Sequence, residues 1–179
     1  MLHFERITDS THLMYSNAMA LYQKSFPLHE QREVASQTVI LSNDAYHFTL
    51  LYDEDIFIGI LLYWKQPEFL YIEHFCILPE LRNHRYGQKA LSLLKESQIP
   101  FILEIDPPVT PISVRRKGFY ERCGFVENPY AHMHPPYHAT DNGHKLIVMS
   151  YPNVLSPSTY DDFSQYLTHT IMQNAFSTL

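Results

Sequence analysis

Residues 77–91 set a hydrophobic strand end, a short basic turn and a helix start in direct succession: Ile77-Leu78-Pro79-Glu80-Leu81-Arg82-Asn83-His84-Arg85-Tyr86-Gly87-Gln88-Lys89-Ala90-Leu91. That order of elements builds a seat for an anion. The first N–H groups of a helix have no partner within it, the helix dipole favours negative charge there, and Gly87 lets a ligand approach the backbone closely. Arg82, His84 and Arg85 add side-chain donors at the same point. Two carboxylates stand out for a different reason. Glu73, in Tyr71-Ile72-Glu73-His74-Phe75, and Glu104, in Phe101-Ile102-Leu103-Glu104-Ile105, are single charges on otherwise apolar strands, which is costly unless the charge is paired or lines a cavity. Strict alternation puts Glu73 on one strand face with Tyr71, Phe75 and Ile77.

A second segment narrows the reading. Arg115-Arg116-Lys117-Gly118-Phe119-Tyr120-Glu121-Arg122-Cys123-Gly124-Phe125 reads as a helix stopped by Gly124, with Phe125 opening a strand. Together the two segments resemble the GNAT superfamily of acyl-CoA-dependent N-acetyltransferases. In that family a Q/R-x-x-G-x-G/A pattern binds the coenzyme A pyrophosphate and a later Y-x-x-x-G-F closes the site. The first falls on Arg82, Arg85 and Gly87, and the second on Tyr120, Gly124 and Phe125. One departure is that Arg85 stands at the family's first glycine, so either the turn differs or the guanidinium itself contacts phosphate. The resemblance spans residues 46–151 and is most specific over 69–126.

What the resemblance implies is an α/β GNAT fold: a twisted, mixed, mostly antiparallel sheet flanked by helices. The reaction is transfer of an acetyl group from acetyl-CoA to a primary amine by direct attack in a ternary complex. Arg82, Asn83, His84, Arg85, Tyr86, Gly87 and Gln88 are expected to hold the pyrophosphate, with Arg116 a further cofactor contact. Phe75, Cys76, Ile77 and Leu78 are expected to pair with the pantetheine arm through their main chain, on a strand that splays from its neighbour. Ser113 stands where many relatives carry an Asn that helps hold that arm. An alkylammonium with a pKa near ~10.4 is no nucleophile at neutral pH, so a base is needed. Glu73 is the first candidate and Glu104 the competitor, as base or as a substrate-orienting group. Tyr120 is the expected acid, its hydroxyl near the coenzyme A sulfur. Two other classes stay open: a protein or peptide N-acetyltransferase, and a non-catalytic acyl-CoA sensor or interaction module.

The elements that must position these residues read off the chain in order. Leu2–Ile7 is a first strand. Asp9 or Ser10 caps a helix carrying Leu13, Ala18, Leu21, Tyr22 and Phe26, and a weaker helix follows over 30–41. Runs 46–52, 56–64 and 69–78 form a β meander; helix 87–97 lays Ala90, Leu91 and Leu94 on the sheet. Strand 101–105 ends at Asp106-Pro107-Pro108, Thr110 and Pro111 start the helix that leads to Tyr120, and 145–151 is another strand. Residues 1–155 are expected to form the acetyltransferase domain. Residues 156–179 form a helical extension whose stripe of Phe163, Tyr166, Leu167, Thr170, Ile171 and Ala175 packs on that domain or on a partner subunit, as in a homodimer.

Composition bounds the rest. With 13 Lys and Arg against 19 Asp and Glu, the net charge is −6, which argues against a nucleic-acid binder and fits one anionic cofactor with a small cationic acceptor. No run is apolar enough for a membrane span or a secretory signal, so a cytoplasmic protein is the expectation. Cys76 and Cys123 are expected as reduced thiols. His132, His134 and His138 lack an obvious carboxylate or Cys partner, so no metal is expected. Their proline-stiffened loop is read as a wall of the acceptor pocket, with Tyr130 and Tyr137 facing the amine.

Overall fold

The computed structural model describes residues 1–176. Eight strands among them make one sheet: β1 (Leu2–Ile7), β2 (Tyr46–Asp53), β3 (Ile56–Lys65), β4 (Leu70–Ile77), β5 (Phe101–Ile105), β6 (Val126–Glu127), β7 (His132–His134) and β8 (His144–Tyr151). Their order is β1-β2-β3-β4-β5-β8-β6, with β7 also on β8. All pairings are antiparallel except β4 with β5.

Strand β3 shows why the sheet is buried on both sides. Ile60, Leu62 and Trp64 point to one face and Ile58, Leu61 and Tyr63 to the other, each set joining a different apolar cluster. On the first face pack α1 (Tyr15–Ser25), α2 (Val34–Ile40) and α5 (Pro157–Tyr166); on the second pack α3 (Tyr86–Leu94) and α4 (Pro111–Arg122). The meander, the order of elements along the chain and the amphipathic face of α3, with Ala90, Leu91 and Leu94 buried, agree with the expectation from sequence. The first two helices are shorter than expected. Asp9 Oδ1 accepts the Thr11 N–H at 2.8 Å in a local turn, α1 begins only at Tyr15, and Leu13 is 92% exposed rather than in the core. Residues 28–30 form a 3-10 turn ahead of α2.

The stripe of the C-terminal extension lies on the chain's own sheet. Phe163, Leu167, Ile171 and Ala175 are at most 1% exposed in the first-face cluster and Tyr166 is half-buried against it, but Thr170, expected in the stripe, is exposed, because α5 passes into a wider π turn at Leu167–Ile171. Residues 177–179 of the expected extension lie outside the described residues.

Strand β4 is irregular in two places. Leu62 of β3 pairs with His74 and Tyr63 pairs with Ile72, so Glu73 is an extra residue with no partner across the ladder, a β-bulge. The strict alternation expected along β4 therefore fails at Glu73. Tyr71, Glu73 and His74 all face the α1–α2 side, whereas Phe75 and Ile77 pack on the α3–α4 side. The second irregularity is that β4 pairs with β5 only over Leu70–Ile72 and Phe101–Leu103. Beyond those positions the two parallel strands part, and β5 continues on β8 alone through Glu104 and Ile105.

Candidate active site

Where β4 and β5 separate, a cavity of about 100 Å³ opens, lined by residues of both strands together with Glu30, Arg116, Tyr120, His134, Tyr137 and His144. Both sequence-predicted carboxylates reach it, but their surroundings differ.

Glu73 is locked. Its side chain is 1% exposed and accepts from Arg32 Nη2 at 3.0 Å, Trp64 Nε1 at 2.7 Å and the Tyr137 hydroxyl at 2.9 Å. Burial alone would raise its pKa; the Arg32 guanidinium, aided by His74 and the two neutral donors, outweighs burial and holds it at about 2. Arg32 is itself buried, and its Nη2 also donates to the Ile171 carbonyl at 3.0 Å, so the π turn of the extension braces the ion pair.

Glu104 has different company. The Tyr71 hydroxyl donates to Oε2, His132 Nε2–H donates to Oε1, and His134 Nε2 lies 3.7 Å from Oε2. Burial raises its pKa, and the histidines and Tyr71 more than offset that. Among the described residues no guanidinium or ammonium pairs with it: its partners are a hydroxyl and two imidazoles. His138, the third histidine of the loop, turns away to the Leu28 carbonyl at 2.9 Å.

Tyr120 comes from the last turns of α4. The helix is positioned by Thr110, whose Oγ1 accepts the Ser113 N–H at 3.1 Å while Ser113 Oγ accepts the Thr110 N–H at 2.9 Å, a reciprocal cap. At its other end Gly124, at φ +85°, closes the helix and lets Phe125 N–H return to the Tyr120 carbonyl. Burial pushes the Tyr120 hydroxyl up to about 12, so it stays protonated at neutral pH.

The basic turn folds as an open helix start. Arg85 caps α3 in the left-handed region (φ 62°) with no side-chain hydrogen bond to the first turn, and Asn83 is also left-handed (φ 69°). The family glycine that Arg85 replaces thus falls on a position that requires a positive φ, so the turn persists with a costlier residue. Arg82, Asn83, His84, Arg85 and Gln88 are exposed, Arg82 Nε donates to the Ile77 carbonyl at 3.3 Å, and His84 Nδ1–H to the Arg82 carbonyl at 3.0 Å. A Cβ on Gly87 would sit 3.1 Å from Phe119 and 3.7 Å from Phe75, so the helix start presses against β4 and α4.

Several expected contacts have other work. Tyr130 stacks on Tyr160 with centroids 4.0 Å apart and donates to the Leu155 carbonyl at 2.7 Å, beneath α5 rather than on the cavity. Ser113 is buried and its hydroxyl serves the α4 cap. Arg116 reaches the cavity edge in an ion pair with Asp106 at 2.9 Å. Tyr137 does line the cavity, with its hydroxyl committed to Glu73. Sequence reasoning missed Arg32, Trp64 and Glu30 as neighbours of the site and took His132 and His134 only as loop residues. The one available signal was His132-Met133-His134, whose period-two spacing puts both imidazoles on the same side of a strand.

A family model described as the acetyltransferase (GNAT) family matches residues 12–125. No curated protein matches the chain by sequence. Among solved structures, a chain from Bacteroides thetaiotaomicron assigned to the GNAT acetyltransferases is 31% identical, superposes with a TM-score of 0.89, and aligns over 95% of this chain and 98% of its own. An aminoglycoside 6'-N-acetyltransferase complexed with coenzyme A shares the fold at 12% identity and a TM-score of 0.59, covering 87% and 99% of the two chains. A Bacillus subtilis acetyltransferase in complex with CoA does so at 11% and 0.56, covering 84% and 97%. With the family model spanning most of the fold, and both the parted strands and the open helix start inside its bounds, this chain belongs to the GNAT family of acetyltransferases.

Proposed function

We propose that the protein transfers the acetyl group of acetyl-CoA to the primary amine of a small cationic acceptor, by direct attack and without a covalent enzyme intermediate. The carrying observation is the opening between β4 and β5, which brings Tyr120 and Glu104 to one cavity. The residues present suit the coenzyme. The uncapped start of α3 with Arg82 and Arg85 offers N–H groups and cations to a diphosphate, and the edge of β4 from Phe75 to Ile77, turned away from β5, can pair with an extended arm, whereas the Leu78 N–H and carbonyl are already bonded to the Ile58 carbonyl and the Leu81 N–H.

Glu104, not Glu73, is the base in this reading. Both carboxylates are held below the ordinary range, but Glu73 is tied to a buried guanidinium and its oxygens already accept three hydrogen bonds, whereas among the described residues Glu104 has no arginine or lysine partner. Glu73 serves instead as the fixed anion that orders Arg32, Trp64 and Tyr137 at the cavity wall. Tyr120 gives its proton to the departing thiolate, whose own pKa near ~8.5 makes that help modest. Charge selects the acceptor. Arg32 neutralises Glu73 and Arg116 neutralises Asp106, while among the described residues Glu30 and Glu104 face the cavity without an arginine ion pair, so the pocket favours a cation.

The test is an amine panel with acetyl-CoA, following thiol release, alongside calorimetry of coenzyme A binding. Small di- and polyamines should turn over and acidic or neutral acceptors should not. Coenzyme A binding without thiol release for any amine would refute the enzymatic reading, and turnover confined to peptides would refute the small acceptor.

A further inference from the structure

We propose that His134 is the side chain on which the proton taken up by Glu104 comes to rest, so that the two residues accept it as one unit. This rests on Glu104 acting as the base.

The two ring nitrogens of His134 have unequal surroundings. Nδ1 is 2.6 Å from the Pro135 carbonyl, which can only accept, so Nδ1 carries the hydrogen of the neutral ring. Nε2 then holds a lone pair. It is buried and has no hydrogen-bond partner among the described residues, an expensive condition for an imidazole nitrogen. Its nearest acidic neighbour is Glu104 Oε2 at 3.7 Å. A lone pair facing a carboxylate oxygen is repelled by it; with a proton on Nε2 the same pair attracts as imidazolium and carboxylate. Only a small turn of either side chain brings the atoms within hydrogen-bond reach.

The ring is held for this. It stacks between Tyr137 and His144, with centroids 4.9 Å and 5.5 Å away, and its backbone pairs with His144. Glu104 from β5, His144 from β8, His74 from β4, Tyr137 and Glu30 are the titratable groups around it. His132 on the other side of Glu104 differs: Nε2–H donates to Oε1 and Nδ1 pairs with the Tyr160 hydroxyl at 2.9 Å, so both its nitrogens are occupied. His132 fixes the carboxylate and His134 is left to receive.

The protons balance. The acceptor ammonium gives one proton to Glu104 and on to His134 Nε2, which returns it to solvent after turnover. The freed amine lone pair attacks the thioester carbonyl, the C–N bond forms and the C–S electron pair leaves on sulfur. The second amine proton is lost as the amide forms, the thiolate takes one from Tyr120, and Tyr120 is reprotonated by the proton so released. One proton reaches bulk water per acetyl transferred. Because it acts through Glu104, His134 is a positioning residue.

Nitrogen-15 NMR of the parent protein reads the tautomer without any variant. The expected result is hydrogen on Nδ1 with Nε2 bare in the neutral ring; hydrogen on Nε2 in the neutral ring overturns the proposal. In turnover, His134→Gln should slow strongly basic alkylamines about 10- to 100-fold and remove the acidic limb of the kcat/KM profile. It should leave coenzyme A affinity unchanged and slow an amine that is already neutral at assay pH by less than about threefold. Equal losses for both kinds of amine, or no loss for either, overturns the inference while leaving the acetyltransferase reading intact. A parent protein that releases no thiol with any amine removes that reading, and the inference with it.

Discussion

Replacing Glu73 by Gln separates a bracing anion from a base. The substitution keeps the shape and removes the charge, leaving the buried Arg32 guanidinium without its partner. Moving a carboxyl from its ordinary 4.5 down to about 2 corresponds to about 3 kcal/mol at ~1.4 kcal/mol per pH unit. Breaking a buried pair by removing one partner costs a similar ~3–5 kcal/mol. Urea unfolding at pH 7 should therefore show Glu73→Gln destabilised by about 3 kcal/mol, with a melting temperature lower by roughly 6–12 °C. The pH dependence has a definite sign. Because the folded-state pKa is depressed, the contribution is complete above the unfolded value near 4.5 and is lost as pH falls through about 2, so the parent's stability should decline across that window more steeply than the variant's. In a double-mutant cycle, Arg32→Met should recover part of the loss when combined with Glu73→Gln, because no unpaired charge then remains buried. A variant within about 1 kcal/mol of the parent, with an unchanged acid limb, would refute the assignment of Glu73 as a structural anion.

Three further outcomes are expected from the same geometry. Tyr120→Phe should lower turnover about 10-fold or more while leaving coenzyme A affinity within twofold, as read by thiol release and calorimetry. Arg85→Gly should raise stability by up to ~1 kcal/mol in urea, since glycine adopts the left-handed φ without strain, yet weaken coenzyme A binding about 10-fold through the lost guanidinium. Gly143→Ala should disturb the site from a distance. At φ +70° its Cβ would overlap the His134 carbonyl oxygen, so β7 must move, and circular dichroism should show a folded protein whose turnover falls at least 10-fold.

Much of the fold was legible in the chain because its signals are local. The β-rich runs of β2 and β3, the spacing of Ala90, Leu91 and Leu94, the Thr110-Pro111 start and the Gly124 stop of α4 each depend on residues within a turn or two of one another. The basic turn was readable for the same reason, since strand, arginines and helix start are contiguous. The function of the carboxylates was not. Glu73 and Glu104 look alike in sequence, each a lone acid among apolar neighbours, and they differ only in what folding brings beside them.

Residue types and local order determined the succession of strands and helices, the basic turn that opens α3 and a tyrosine near the end of a helix. Tertiary structure alone decided which acid is neutralised, because Arg32 lies 41 positions from Glu73 and is braced by a carbonyl 139 positions from itself. The bulge that turned β4 is likewise a matter of register with β3, and the pairing of Glu104 with His132 and His134 depends on β7 docking against β8. A carboxylate's proton affinity is set by the charges and donors within a few ångströms, and those neighbours are chosen by packing over long sequence separations.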